Sequence, residues 1–536
     1  MSSLPTPSTP TQSNRSHPIA SWIQSVVAAA CVTLSLLVAG CVTPAHESGL
    51  SHSPLNPIGE DTRMARAIDP LTSIHASETG FSLLSDGLEA FQARIDAIDA
   101  AEDTIDVQTY IFEDDLTGRI FMERLLDAAE RGVRVRLLMD DLAKGWKDRD
   151  LAFAAAHPNV EIRLFNPPVR IGSLRPLKAA ARFRRIHRRM HNKQMVVDGK
   201  YAIVGGRNIG DEYFDASDRL VIDLDAIVIG DALADLNRFF IDYWNYPLSR
   251  PIETVAIKKR VSEAEKNAFR LRIESDNRSP KALTYLDRLS ERSMIALIET
   301  GNREFSWGQA RAFADQPEKL DYSRFRTRTH LSSELSPYLE YAEDELILIS
   351  PYFIPGKRGS RSLGQLAGNG VEVAVITNSL DSSNHPIVHA AYMKYRKRLL
   401  ASGVQLLETK GLSEGDQNDP KFKDFHYNAF LHTKLFLVDR RYVMIGSLNL
   451  DPRSKLLNTE LMIALDSPEL AEDLIKRIKL SAEESFWKLE LADNERIQWT
   501  DPTGSPSETA KVEPGSDWFQ RQTLKLLALI PIEGEL

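Results

Sequence analysis

Two stretches of this chain carry residues that could do chemistry, and they are almost the same stretch twice. One runs from His191 to Asn208 (HNKQMVVDGKYAIVGGRN), the other from His432 to Asn449 (HTKLFLVDRRYVMIGSLN). In each, a Lys follows the His by two residues, an Asp by seven and an Asn by seventeen, so that His191, Lys193, Asp198 and Asn208 match His432, Lys434, Asp439 and Asn449 at one offset of 241. Neutral His offers a nucleophilic nitrogen whose charge can change near neutral pH. Lys adds positive charge and Asn adds amide donors, so the set suits a phosphate group better than a metal. The His pair at ligand-like spacing beside the first motif, His187 and His191, sits among arginines that repel a cation. Neither a metal nor a cofactor is expected.

The residues around these groups alternate with apolar ones, as two strands meeting at a tight turn do. A two-residue loop of Gly199 and Lys200 would pair Asp198 with Tyr201. That register places His191 opposite Asn208, Lys193 opposite Gly206 and, in the second copy, His432 opposite Asn449. His191 and Lys193 then share a face while Asp198 points away, which gives Asp198 and its counterpart Asp439 a structural part. A Gly opposite the Lys leaves room for a substrate.

The two HxKxxxxD motifs, with GGRN and GSLN after them, resemble the phospholipase D superfamily. More narrowly, HRRMHNK, VGGRNIGDEYF and IGSLNLDPRS resemble its bacterial cardiolipin synthase C-like branch, over roughly residues 80 to 490. The resemblance implies an α/β fold of two duplicated α/β/α sandwich domains related by pseudo-two-fold symmetry, with the site between them. It implies phospholipid substrates and a two-step exchange in which His191 attacks phosphorus to form a phosphohistidine and His432 acts as the acid. Lys193, Lys434, Asn208 and Asn449 would stabilise the non-bridging oxygens. A carboxylate orients each imidazole of its own half in this family. Glu460, 28 residues after His432, fits that position, and Asp223 in RLVIDLDAIVIG fits it with four extra residues. In the resembled branch the donor is phosphatidylethanolamine and, with phosphatidylglycerol as acceptor, the product is cardiolipin. A hydrolase or nuclease would use the same residues. A non-catalytic lipid-binding module should show decay of one motif, and both are whole.

The rest of the chain sets the context. At 536 residues two domains are the default, and a net charge of −9 argues against a nucleic-acid partner. An apolar run from Ile19 ends at Val38-Ala39-Gly40-Cys41, which reads as a secretory leader (residues 1–41) with lipid attached at Cys41, or else as an uncleaved anchor. Either places the body outside the cytoplasm, facing the periplasm at a membrane. Cys31, the other cysteine, lies inside the leader, so the mature chain would hold no disulfide. Residues 42–79 read as a flexible tether, 80–250 as the first domain, 251–335 as a helical bridge, 336–490 as the second domain and 491–536 as a tail. Within that tail, 518–530 could lie on a membrane but is expected to pack on its own domain. The repeat reaches beyond the motifs, since Ala101-Glu102-Asp103 matches Ala342-Glu343-Asp344 at the same offset. From Arg170 to Lys193 there are nine Lys or Arg and no acid. Arg185, Arg188 and Arg189 in that run are candidates to bind anionic headgroups at the mouth of the site. No protein partner is identifiable.

Overall fold

The computed structural model describes residues 60–528 and 533, except 143–144, 168–186, 257–260, 291–292, 322–329, 384, 411–429 and 503–508. The leader, Cys41 and Arg185 lie outside the described residues.

Strands of the first half are β1 (Thr79–Leu84), β2 (Thr104–Thr109), β3 (Arg134–Asp140), β4 (Val160–Phe165), β5 (Gln194–Val197), β6 (Tyr201–Gly205), β7 (Val221–Ile222), β8 (Asp225–Gly230) and β9 (Ser249–Pro251). Those of the second half are β10 (Ser306–Ala314), β11 (Glu345–Ile349), β12 (Glu372–Thr377), β13 (Gln405–Thr409), β14 (Phe430–Leu431), β15 (Leu435–Val438), β16 (Tyr442–Gly446), β17 (Leu461–Asp466) and β18 (Phe486–Leu491). A short extension, β19 (Ile497–Thr500) and β20 (Thr509–Ala510), follows.

In space the first half runs β9-β4-β3-β2-β5-β6-β8-β1. The second half repeats that order as β18-β13-β12-β11-β15-β16-β17-β10. Within these two sheets, parallel pairing is confined to β2-β3-β4 and β11-β12-β13, where helices such as Leu116–Glu130 and Gly356–Gly368 make the crossovers. The edges β1 and β10 pair antiparallel, Gly80 opposite Trp307, so the two sheets join into one.

Each sheet carries helices on both faces. The helix Gly87–Ala100 starts at Asp86, whose side chain accepts the Glu89 N–H at 2.8 Å, as expected of an N-cap. With Leu116–Glu130 it buries Phe91, Ile95, Ile98, Ile120 and Phe121 against Ile105, Val107, Val135 and Leu137. In the second half Leu363, Leu366, Tyr392 and Leu399 cover Leu346, Leu348, Val373 and Val375 in the same way. The opposite faces share one core. Val196, Val204 and Val228 of the first half pack with Ile349, Val443, Ile445 and Ile463 of the second, and the helices Leu233–Trp244 and Pro468–Ser485 join them there. Each such aliphatic side chain contributes roughly 1.5–3 kcal/mol when buried, so the halves are not separable units.

Four expectations change. The two motif hairpins turn through three residues: Val197 pairs with Tyr201 and Val438 with Tyr442, one residue off the anticipated register. The cause is the Asp at each turn. Asp198 takes φ of 49° and its carboxylate accepts the backbone N–H groups of Glu102, Asp103 and Thr104 at 3.1, 2.8 and 2.8 Å. Asp439, at φ 53°, does the same for Glu343, Asp344 and Glu345. These aspartates therefore tie the turn to the start of β2 or β11, and the repeated Ala-Glu-Asp is the segment they hold. Secondly, part of the expected tether is ordered, since the helix Arg63–Ile74 buries Met64, Ala65, Ala67 and Ile68. Thirdly, the expected bridge is not only helical. Its helices Glu263–Asn277 and Met294–Glu299 belong to the first half's core through Phe269, Ile273 and Ile295, and it also contains β10, the second half's counterpart of β1. Lastly, RLVIDLDAIVIG is not one strand. It breaks at Asp223 and Leu224, and β7 leaves the sheet to pair in parallel with β14.

Candidate active site

Main-chain rungs between the halves deliver both histidines. His432 N–H donates to the Ile222 carbonyl at 2.8 Å, beside the β7–β14 pair. His191 N–H donates to the Thr459 carbonyl at 2.9 Å, beside the lone Met190–Thr459 bridge. Ile222 and Thr459 each stand one residue before a carboxylate. His432 Nδ1 consequently meets Asp223 Oδ2 at 2.5 Å, and His191 Nδ1 meets Glu460 Oε2 at 2.8 Å. Each imidazole is thus held by the carboxylate of the other half, which corrects the own-half pairing that the sequence resemblance implied. A carboxylate on Nδ1 takes the N–H there and leaves Nε2 with its lone pair.

Each Lys is fixed beside its His. Lys193 Nζ donates to the His191 carbonyl at 2.8 Å, and Lys434 Nζ donates to that of His432. Asn208 Nδ2 donates to the Tyr213 hydroxyl at 2.8 Å while its Oδ1 accepts the Ile111 N–H at 3.2 Å. The buried amide oxygen of Asn449 has no hydrogen-bond partner among the described residues. Both histidines, both lysines, both asparagines, Asp223 and Glu460 are buried, and each Lys acts electrostatically on both imidazoles, so they form one shared site.

The glycines serve the carboxylates. A Cβ on Gly206 would stand 2.3 Å from Asp223 Oδ1, and one on Gly205 would stand 2.0 Å from Asp225 Oδ1. The room they leave is filled by protein, contrary to the expectation of a substrate there. Asp225, on the same segment as Asp223, is committed elsewhere, pairing with Arg94 at 2.8 Å and Arg207 at 3.5 Å.

Two of the arginine candidates have partners within the protein. Arg189 is buried with its Nε 2.8 Å from Asp140 Oδ1, and Asp140 also accepts the Met190 N–H at 3.0 Å, so this pair pins the approach to His191. Arg188 donates to the Leu320 carbonyl at 3.0 Å. A charge run in sequence gives no sign of which members find partners inside.

Several site residues went unread in the sequence. Ser447 donates to Glu460 Oε2 at 2.6 Å, a bond for which Gly206 has no counterpart. Asp315 accepts the Glu460 N–H at 2.9 Å. Tyr110 lies edge-on to His191 at 5.0 Å and Tyr213 edge-on to His432 at 5.5 Å. The signal for Ser447 was present as the one difference between the Gly-Gly and Gly-Ser pairs.

Burial and the neighbouring lysines push the imidazoles down, against the pull of Glu460 and Asp223, to about 4 for His191 and about 3 for His432. Burial likewise brings Lys193 down to about 7 and Lys434 to about 8. The two imidazoles do not titrate far apart, because their surroundings are nearly alike. Both imidazoles are neutral near pH 7. kcat/KM for a phosphodiester is expected to fall as pH rises through 7 to 9, where the lysines lose charge, and to fall again below about 4, where His191 takes a proton. Stability has the opposite alkaline sign. Between about 7 and 10.4 the unfolded chain holds lysine protons that the folded site refuses, so those lysines make stability rise with pH. A kcat/KM flat from pH 6 to 10 would contradict this.

Fold and site together define a phospholipase D-type enzyme, two motif-bearing halves closing on one shared site. The family described as "Cardiolipin synthase, PLD-like domain" matches residues 95–244 and 335–480, and the chain belongs to it. It is 36% identical over 473 residues to cardiolipin synthase C of Escherichia coli (strain K12), spanning 88% of this chain and 99% of that protein. To a cardiolipin synthase of Staphylococcus aureus it is 27% identical over 405 residues, 74% of this chain and 66% of the other. The crystal structure of phosphatidylserine synthase from Haemophilus influenzae shares the fold with a TM-score of 0.53 at 14% identity, covering 85% of this chain and 95% of that one.

Proposed function

We propose that the chain is a phosphatidyltransferase that makes cardiolipin from phosphatidylglycerol, with phosphatidylethanolamine as donor. The observation that carries the reading is the pair of buried imidazoles, each with Nδ1 on a carboxylate and each beside a lysine. The similarity to cardiolipin synthase C over nearly the whole of both chains supports the choice of lipids.

In the first step His191 Nε2 attacks phosphorus, a P–N bond forms, the P–O bond to the headgroup breaks, and the departing alcohol takes a proton from His432. In the second, the acceptor hydroxyl returns a proton to His432 while its oxygen forms the new P–O bond and the P–N bond breaks. Lys193, Lys434 and the two asparagines offset the charge on the non-bridging oxygens.

Transfer competes with water, which can also open the phosphohistidine. A bound acceptor can reach an effective molarity of roughly 10⁵ M or more, well above that of the solvent. In mixed micelles, ethanolamine release from phosphatidylethanolamine should depend on added phosphatidylglycerol, and mass spectrometry should find more cardiolipin than phosphatidic acid. Equal release without phosphatidylglycerol, with phosphatidic acid dominant, would make the protein a hydrolase.

The reading includes a lipid anchor at Cys41 on an exported, periplasm-facing body, supported by the apolar run that ends at Val38-Ala39-Gly40-Cys41. Among the described residues no helix is long and apolar enough to cross a membrane. Cys41→Ser should leave a longer precursor on a denaturing gel; unchanged size with no acyl label on the parent would reject the anchor.

A further inference from the structure

The C-terminal helix Trp518–Ala528 packs on the second domain and also presents an apolar face outward. Its inner side buries Leu524, and the chain beyond it is tied back by Glu533, which accepts from Lys394 at 2.7 Å and from the Tyr395 hydroxyl at 2.6 Å. The opposite side carries Trp518, Phe519 and Leu526, which are 59%, 75% and 67% exposed. Phe519 and Leu526 are seven residues apart, two turns of helix, so they share that face with Trp518. Trp518 and Phe519 pack edge to face at 5.0 Å, a preformed aromatic pair in water.

Charge and position both bear on what covers this face. Within the helix Arg521 is half-buried, Lys525 is exposed and no acid occurs; the exposed Asp517 just before it caps the first turn, accepting the Gln520 N–H at 2.8 Å, and Glu513 upstream is buried and paired with Arg396 at 2.7 Å. The helix itself is thus basic and aromatic in a chain of net charge −9. Gly515 lies against Asp381, since a Cβ on it would stand 2.5 Å from that carboxyl carbon. Three residues before Asp381, Asn378 holds both main-chain groups of Leu431, the neighbour of His432, at 2.8 and 3.0 Å. Two three-residue spans of at most about 11 Å each therefore separate Trp518 from the segment that delivers His432.

We propose that Trp518, Phe519 and Leu526 form a membrane-docking face that seats in an anionic phospholipid surface and holds the second domain's side of the site against the bilayer. Aromatic rings suit the headgroup level, and an apolar face flanked by basic residues is the pattern of a helix lying in the interface. This inference does not require the transfer reaction, because it concerns where the body sits and not what it does there.

The test uses the full chain in vesicles of phosphatidylethanolamine and phosphatidylglycerol whose acyl chains are brominated. The parent should show a quenched component of tryptophan emission that Trp518→Phe lacks. Phe519→Asp with Leu526→Asp should raise the vesicle concentration for half-maximal rate on the order of tenfold or more. The same pair should leave the rate on a dispersed short-chain phosphodiester unchanged, which also reports that it folds. Equal quenching in parent and Trp518→Phe would overturn the proposal. So would a detergent-solubilised dimer that the double variant splits, since that would assign the face to a second copy.

Discussion

His191→Ala and His432→Ala are each expected to abolish turnover, by on the order of 10⁴-fold or more, because neither half of the exchange can proceed without its imidazole. An equimolar mixture of the two variants should stay inactive. The shared core and the joined edges β1 and β10 fix the two halves of each chain against one another, so an intact half cannot be lent to a neighbour. The two losses differ in kind. A phosphodiester with a p-nitrophenol leaving group needs no proton to depart, so His432→Ala should regain much of the first step on it while His191→Ala should not. Turnover of a natural phospholipid by either variant above about 1% of the parent would sink the shared site.

The second large effect follows from the crossing of the carboxylates. Glu460→Gln and Asp223→Asn keep shape but put an amide against Nδ1, which favours the wrong tautomer and should cost about 10² to 10⁴ in kcat. Because Glu460 holds His191 and Asp223 holds His432, Asp223→Asn should be relieved by the p-nitrophenyl substrate, as His432→Ala is. Glu460→Gln should remain slow on it, as His191→Ala does. This comparison does not depend on which His is the nucleophile, because each carboxylate is matched to the His variant it resembles. Should Glu460→Gln follow His432→Ala, the carboxylates would serve their own halves after all.

What the sequence made legible, and what it hid, divides along a physical line. The repeated spacing located His191, Lys193, Asn208 and their counterparts, since two full copies at one offset leave little room for misplacement. Strand alternation sent Asp198 and Asp439 away from the site, and both hold backbone N–H groups at the far end of the hairpin. The turn itself was misjudged by one residue because its length is set by that capture, a contact with a segment about 95 residues away. The partner of each carboxylate was hidden for a similar reason. Spacing along the chain ties Glu460 to His432, but a break at Asp223 and one main-chain bridge at Thr459 carry the carboxylates across to the other half. Arg189 shows the same limit, since nothing near it in the chain announces Asp140 as its buried partner.

The rungs that cross between the halves also bear on how such a chain could arise. The bonds that His191 makes to Thr459 and Glu460 have their images in those from His432 to Ile222 and Asp223. A single half could therefore have completed its site only with an identical copy, and fusing the copies preserved that exchange within one polypeptide. Fusion also released the halves from having to match. Ser447 donates to Glu460 where Gly206 offers Asp223 nothing, and Tyr110 flanks His191 where the corresponding residue at the same offset is Pro351. An ancestral homodimer would have had two indistinguishable histidines, whereas here the two have different neighbours.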